Sequence, residues 1–408
     1  MDEMGLLVSL WFPAMLGDYR QPDVLREAQA YWRRVFAGLA RLDYLFLPGG
    51  DPGSHLPADL LFIGEQQLAV CHEYLPAAQL WISPQMWDVA TMDTWFALLH
   101  NTSTAQYLTG VVYGPWTALN LTAFWLATPA RYPVRLYPDI THSIDCQFPV
   151  AGWDPAYKMT ESREVVNPRP TAFADIIAAL LARIQAAGPV GAPLVGFGGY
   201  SEGSQDDLNK IVWSRLFWDP RQPVADILDQ YAAVFGPTQA ALRPAFAHLL
   251  QALELNWHGP VATSQALNGT LPLVQNLSSA LPMRDRHAWR IMMHVYRGLY
   301  DAHVQAHYAT DTAVEQQALA LLAAALQHNT SVPAAIKQAT ALLSTAAPSA
   351  QQQQLAQQLT LLATQLFESP AHFQFSVPLF AAEYTGPSRQ RRRRKKKKEE
   401  EEEEEEEE

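Results

Sequence analysis

The sequence predicts a parallel α/β fold of the (β/α)8 TIM-barrel type, incomplete at its amino end and followed by an all-α domain. Three observations predict it. Six short apolar runs recur in the first half of the chain, at 5–12, 43–47, 80–83, 110–113, 134–137 and 194–197, each closed by Pro or Gly. Helix-like segments lie between them, and strands alternating with helices at this spacing form a parallel sheet. Polar and aromatic residues crowd the run ends, in WFPAM, LPGGDPG, ISPQMW, YGPW, YPDITH and GGYSEG, which is how the functional end of a barrel reads.

The helices follow from their periodicity. Segment 23–42 carries Leu25, Tyr31, Val35, Phe36 and Leu39, and 57–74, 87–99 and 117–128 follow. Segment 172–187 is the clearest, with Ile176, Ile177, Leu180, Leu181 and Ile184 on one stripe. The near-continuous apolar strands suit a sheet covered on both faces. No GxGxxG or GxxxxGK[ST] opens any helix, which argues against a nucleotide-binding doubly wound sheet. A barrel needs eight strands and six are read, so two βα units are expected to precede this chain.

The segment 194–220 organises the rest. Leu194, Val195 and Phe197 form a strand, and Gly198 and Gly199 let the backbone turn. Ser204 and Asp207 form a capping box, and Leu208, Ile211, Val212 and Leu216 continue as a helical stripe. Tyr200, Ser201 and Glu202 stand at the strand-to-helix junction, where α/β folds place their chemistry. From Pro220 the strand signals stop. Amphipathic stretches at 224–235, 240–256, 288–308, 312–328, 333–343 and 351–367 predict a helical domain. The Gln-rich run within the last reads as a solvated helix face, and 373–380 as one final strand. The domains expected are 1–219 for the barrel, 220–385 for the helices, and 386–408 as a disordered charged tail.

Composition sets limits on partners. The chain has 41 Asp and Glu against 29 Lys and Arg, a net charge of −12, which argues against a nucleic acid partner. The RRRRKKKK run and the Glu run after it nearly cancel. No apolar run reaches membrane-spanning length, so no membrane partner is read. Cys71 and Cys146 carry no zinc-ligand spacing. Five of the eight Asn lie in N-x-[ST] sequons, namely Asn101, Asn120, Asn268, Asn276 and Asn329. That excess points to a secreted or lumenal protein of a eukaryotic secretory pathway, although no signal peptide stands at Met1.

The candidate site gathers at the strand ends. Glu202, flanked by glycines, is the first candidate for a catalytic carboxyl. Asp51, in LPGGDPG, and Asp139, directly after a strand, are candidate partners, and Asp51 also reads as a turn residue. His142 and Asp145 follow Asp139 as a titratable pocket wall. Arg169, between Pro168 and Pro170, can hold a substrate carboxylate bidentately or serve a structural salt bridge. Trp87, Tyr113, Trp116 and Tyr200 offer aromatic faces that suit sugar C–H surfaces.

The run from YSEG through DDLNK and FWDP to PVADILDQYAAVFG resembles the barrel-to-helical-domain junction of several glycoside hydrolases. These are the α-glucuronidase, α-N-acetylglucosaminidase and hexosaminidase-like families. DITHSIDCQFPV and VNPRP resemble an uncharacterised branch of such proteins. The paired acids of the hexosaminidase fourth strand are absent, and a lone Asp51 follows Gly-Gly instead. The resemblance implies hydrolysis of a glycosidic bond in a carbohydrate substrate, by two carboxyls, Glu202 with Asp51 or Asp139. No metal or organic cofactor is expected. The rival function is a carbohydrate-binding barrel that has lost catalysis.

Overall fold

A computed structural model describes residues 5–50, 52–101, 103, 105–138, 166–187, 192–201, 206–256, 258, 261–327, 331–345 and 348–369. The chain divides into two compact units, Met1–Asp139 with Ile176–Tyr200, and Ile140–Asp175 with Ser201–Glu408.

Unit 1 is a six-stranded parallel sheet: β1 (Ser9–Trp11), β2 (Tyr44–Pro48), β3 (Gln79–Ser83), β4 (Leu108–Tyr113), β5 (Val134–Leu136) and β6 (Leu194–Phe197). Between them run α1 (Pro22–Ala37), α2 (Pro57–His72), α3 (Val89–His100), α4 (Leu121–Ala127) and α5 (Pro170–Ala187), whose first residues belong to unit 2. Pro22 and Pro57 open their helices at the first turn, where a missing N–H costs nothing. Asp88 and Asn120 cap α3 and α4 by accepting from the Thr91 and Ala123 amides.

The expectation of a (β/α)8 barrel is overturned. The strand order is β1-β2-β3-β4-β5-β6, and among the described residues no ladder joins β6 back to β1. The sheet is an open half barrel. Closing a parallel barrel takes about eight strands at a matched tilt and stagger. Apolar runs ending in Pro or Gly are equally the signature of an open α/β sheet, so the local pattern does not decide closure.

The two sheet faces differ. Leu45, Leu47, Leu80, Ile82, Val111 and Val134 face the helices and are buried with Phe36, Leu60, Trp95 and Phe124. The other face carries Phe46, Trp81 and Val112, with Tyr44 and Tyr137 packed against them. Gly110 is bare there because the Trp81 ring lies over it: an added Cβ would come within 2.4 Å. Arg135 projects from β5 onto the same face. Its guanidinium carbon lies 5.9, 5.4 and 5.3 Å from the Tyr44, Phe46 and Trp81 ring centres. Burial pushes its pKa below the ordinary arginine range.

Unit 2 is helical: α6 (Asp207–Trp218), α7 (Val224–Phe235), α8 (Arg243–Leu255), α9 (Ala266–Ala280), the single turn α10 (Met283–Arg286), α11 (Trp289–Gln327), α12 (Val332–Thr345) and α13 (Ala350–Glu368). The separate helices expected at 288–308 and 312–328 are one helix of 39 residues. Ala309–Thr312 breaks the apolar stripe, but it holds neither Gly nor Pro, so nothing ends the hydrogen-bond ladder. The interior is polar in places. Asp207 accepts from Arg290 at 2.7 and 2.9 Å and from the Tyr231 hydroxyl at 2.7 Å. Burial raises its pKa, and these donors outweigh that and hold it below the usual carboxylate range. Arg297 and Asp301 pair at 2.7 Å with both side chains wholly buried. The Asn256 amide donates to the same carboxylate at 2.7 Å. Glu254 accepts from the Thr171 and Ala172 amides at 2.9 and 2.8 Å, satisfying the first turn of α5. The proposed strand at 373–380 and the charged tail lie outside the described residues.

Candidate functional site

All six strands run parallel, so their carboxyl ends share one edge of unit 1. In open α/β sheets ligands bind at that edge. The β2 exit presses against the β3 exit, and Gly49 and Gly50 are what permit it. A Cβ on Gly49 would lie 2.7 Å from the Ser83 carbonyl, and one on Gly50 2.7 Å from the Gln85 carbonyl. Either would collide with backbone that has nowhere to move.

Beyond this contact the backbone is strained in two places. Met86 and Trp116 are the described non-glycine residues with positive φ, at 63° and 61°. Each costs roughly 1–2 kcal/mol in that region. The two are linked, since the Met86 amide donates to the Trp116 carbonyl at 3.1 Å. Both side chains point outward, 58% and 51% exposed. Strain of this kind persists where surrounding structure over-determines it, and it clusters at ligand sites. Directly behind these residues, Ser83 and Gln85 are buried, and Ser83 Oγ and Gln85 Oε1 have no hydrogen-bond partner among the described residues. Sequence reasoning passed over Met86, Ser83 and Gln85; the signal available was the polar Ser-Pro-Gln set into an otherwise apolar strand exit.

The expected site residues fall in different places. Trp116 and Tyr200 lie at the carboxyl edge. The Tyr200 amide donates to the Pro138 carbonyl at 2.8 Å, and its ring stands 6.1 Å from that of Tyr137. Tyr137 in turn meets Phe46 edge-on at 5.3 Å, so an aromatic file runs from the sheet face to its edge. Trp87 is buried; its indole donates to the His55 carbonyl at 3.0 Å and packs on Trp95. Tyr113 is turned toward the helices, donating to the Leu119 carbonyl at 3.2 Å and packing on Phe124, and burial raises its phenol pKa. Arg169 belongs to unit 2, where it is buried and its backbone amide donates to Asn209 Oδ1 at 3.1 Å. Asp51, Asp139, His142, Asp145 and Glu202 lie outside the described residues.

Chemically, the described edge offers an exposed indole at Trp116, an exposed thioether at Met86 and a second aromatic at Tyr200. The exposed faces of this set can pack on the C–H surfaces of a ligand. Among the described residues no group of His, Cys, Asp and Glu is arranged to hold a metal ion. Cys71 is buried in α2 and burial pushes its thiol up to about 11. Comparison of the chain with protein-family profiles, with curated proteins and with solved structures finds no match.

Proposed function

We propose that the chain is a glycoside hydrolase and that the carboxyl edge of the unit 1 sheet binds its carbohydrate. The observation that carries the reading is the exposed Trp116 indole held at φ 61° beside Met86. A large apolar face kept in water by a strained backbone is wasteful for folding alone, and a sugar ring is the ligand class such a face stacks on. The ring of Tyr200 at the same edge, 6.1 Å from that of Tyr137, supports it as a further aromatic face. Hydrolysis needs two carboxyls across the bond, and Glu202 with Asp51 or Asp139 is the pair the sequence offers. The resemblance of 200–236 to glycoside hydrolase junctions supports the same chemistry. The sequon excess supports passage through a secretory pathway.

The test takes the full chain against a glycan array and a panel of aryl glycosides. Wild type binds at least one glycan and turns over its aryl glycoside. Trp116→Ala weakens binding about tenfold, the ~1.4 kcal/mol of one lost stacking face. Glu202→Gln keeps binding and lowers turnover by several powers of ten. Absence of any glycan binding sinks the reading. Binding with no turnover by wild type selects the second reading, a carbohydrate-binding module without catalysis, which the edge aromatics support by themselves.

A further inference from the structure

We propose that unit 2 holds a second, independent site that binds a small anionic amphiphile, a molecule with one compact acidic head and an unbranched apolar body. The site is a cavity of about 730 Å³ bounded by α9, α10, the first three turns of α11 and one face of α13. That volume lies within the roughly 300–1,000 Å³ of small-molecule sites. Its floor is apolar, with Val274, Leu281, Met292, Val295, Leu299 and Leu362. Met292, with Met283 at the rim, supplies the adaptable surface that suits a flexible alkyl chain.

Charge selects the head group. The chain carries a net −12, yet among the described residues no Asp or Glu lines this cavity, and the charged lining residue is Arg286, next to His287. Arg286 is held in place. Its Nε donates to the Leu281 carbonyl at 2.7 Å and Nη2 to the Ser279 carbonyl at 2.8 Å. Nη1 makes no hydrogen bond among the described residues. The neighbouring Asp285 does not neutralise it by pairing, because its carboxylate accepts from the Thr238 amide and hydroxyl, both at 2.8 Å. Ile291 and Met292, in the first turn of the 39-residue α11, also line the cavity, which therefore borders the amino end of that helix. The Ser278 hydroxyl is buried in the lining with no partner among the described residues. Amide groups of Gln354 and Gln358 complete the rim. A pinned guanidinium, a helix amino end and a spare hydroxyl over an apolar floor together fit a carboxylate on an alkyl chain.

The test is isothermal titration of the full chain with sodium decanoate below its micelle concentration, with 1-decanol as the uncharged control. Decanoate binds at least about tenfold more tightly than decanol, the difference being one charge-assisted contact. Arg286→Gln weakens decanoate about tenfold and leaves decanol unchanged. Because Arg286 also satisfies carbonyls at the end of α9, a second variant guards against misfolding. Gln358→Glu lies on the exposed face of α13 and adds a carboxylate at the rim. It weakens decanoate severalfold, leaves decanol alone and keeps the wild-type circular dichroism. No decanoate binding, equal affinity for decanoate and decanol, or indifference of decanoate binding to Gln358→Glu would overturn the proposal.

Discussion

Replacing Trp116 by Gly and by Ala separates the backbone from the ring at the candidate site. Trp116 sits at φ 61° and is 51% exposed, so both replacements remove the same indole and about 100 Å² of buried apolar surface, roughly half of what a fully buried Trp contributes. At about 25 cal/mol per Å² that loss is close to 2.5 kcal/mol in either variant and cancels between them. What remains is backbone. Alanine keeps the strain of about 1–2 kcal/mol that glycine relieves. Glycine in turn loses about 0.5–1 kcal/mol through its freer unfolded chain. The Gly variant should therefore be more stable than the Ala variant by about 0.5–1 kcal/mol, while both lose glycan affinity equally. The Met86 amide bond to the Trp116 carbonyl is backbone and survives in each. Urea denaturation read by circular dichroism gives the first quantity and titration with the bound glycan the second. An Ala variant as stable as the Gly variant would show that the position is not strained. Undiminished glycan binding in both would show that the indole is not a platform.

Two further outcomes follow. His294 is fully buried against Tyr231 and Phe246, with Nδ1 2.6 Å from the Arg290 carbonyl, and burial lowers its pKa to about 4. Below its ordinary value the unfolded chain takes up a proton that the folded chain refuses, so stability falls as pH drops from about 6.5 toward 4. Between pH 7 and 5 this amounts to roughly 2 kcal/mol. His294→Gln removes that increment, and urea midpoints with the same pH dependence in both proteins would refute it. The sequon residues Asn101, Asn120, Asn268 and Asn276 are exposed, so secretion from a eukaryotic host should yield chains that lose mass on treatment with an N-glycosidase, and unchanged mass would remove the secretory reading.

What the sequence disclosed was local. Apolar runs bounded by Pro or Gly located all six strands, because a buried parallel strand needs a continuous apolar stretch and its exit needs a turn. Closure was not legible, because it depends on how many strands pair, and no single run encodes that. Trp87 and Trp116 illustrate the same limit at the site. Both follow a strand by a few residues and both looked like edge aromatics, yet one packs on Trp95 and the other faces water. The difference lies in backbone conformation: a positive φ at Met86 and Trp116 turns the chain, and neither residue type announces it as Gly or Asn would. The Gln run was only partly readable. Gln352 is buried, completing a capping box with Ser349 and donating to the Ala306 carbonyl at 3.1 Å, while Gln353 and Gln354 are exposed. Identity of side chain was the same at each; position on the helical turn decided.

The strictly sequential strand order also governs the speed at which the parts of this chain can assemble. Every ladder in the sheet joins segments separated by a whole crossover, and the pairing of Val134 with Leu194 spans the widest of them. Closing a longer loop costs more entropy before any contact repays it, and topologies rich in distant pairings fold slowly. By contrast, α11 packs on α12 and α13, its successors in the chain, so that part of unit 2 can collapse through short-range encounters. The β5 edge therefore waits longest for its partner and is the stretch most open to a wrong one. Its brevity is protective: three residues, Val134–Leu136, with Pro133 before them and Pro138 shortly after, leave little backbone for a second chain to template on.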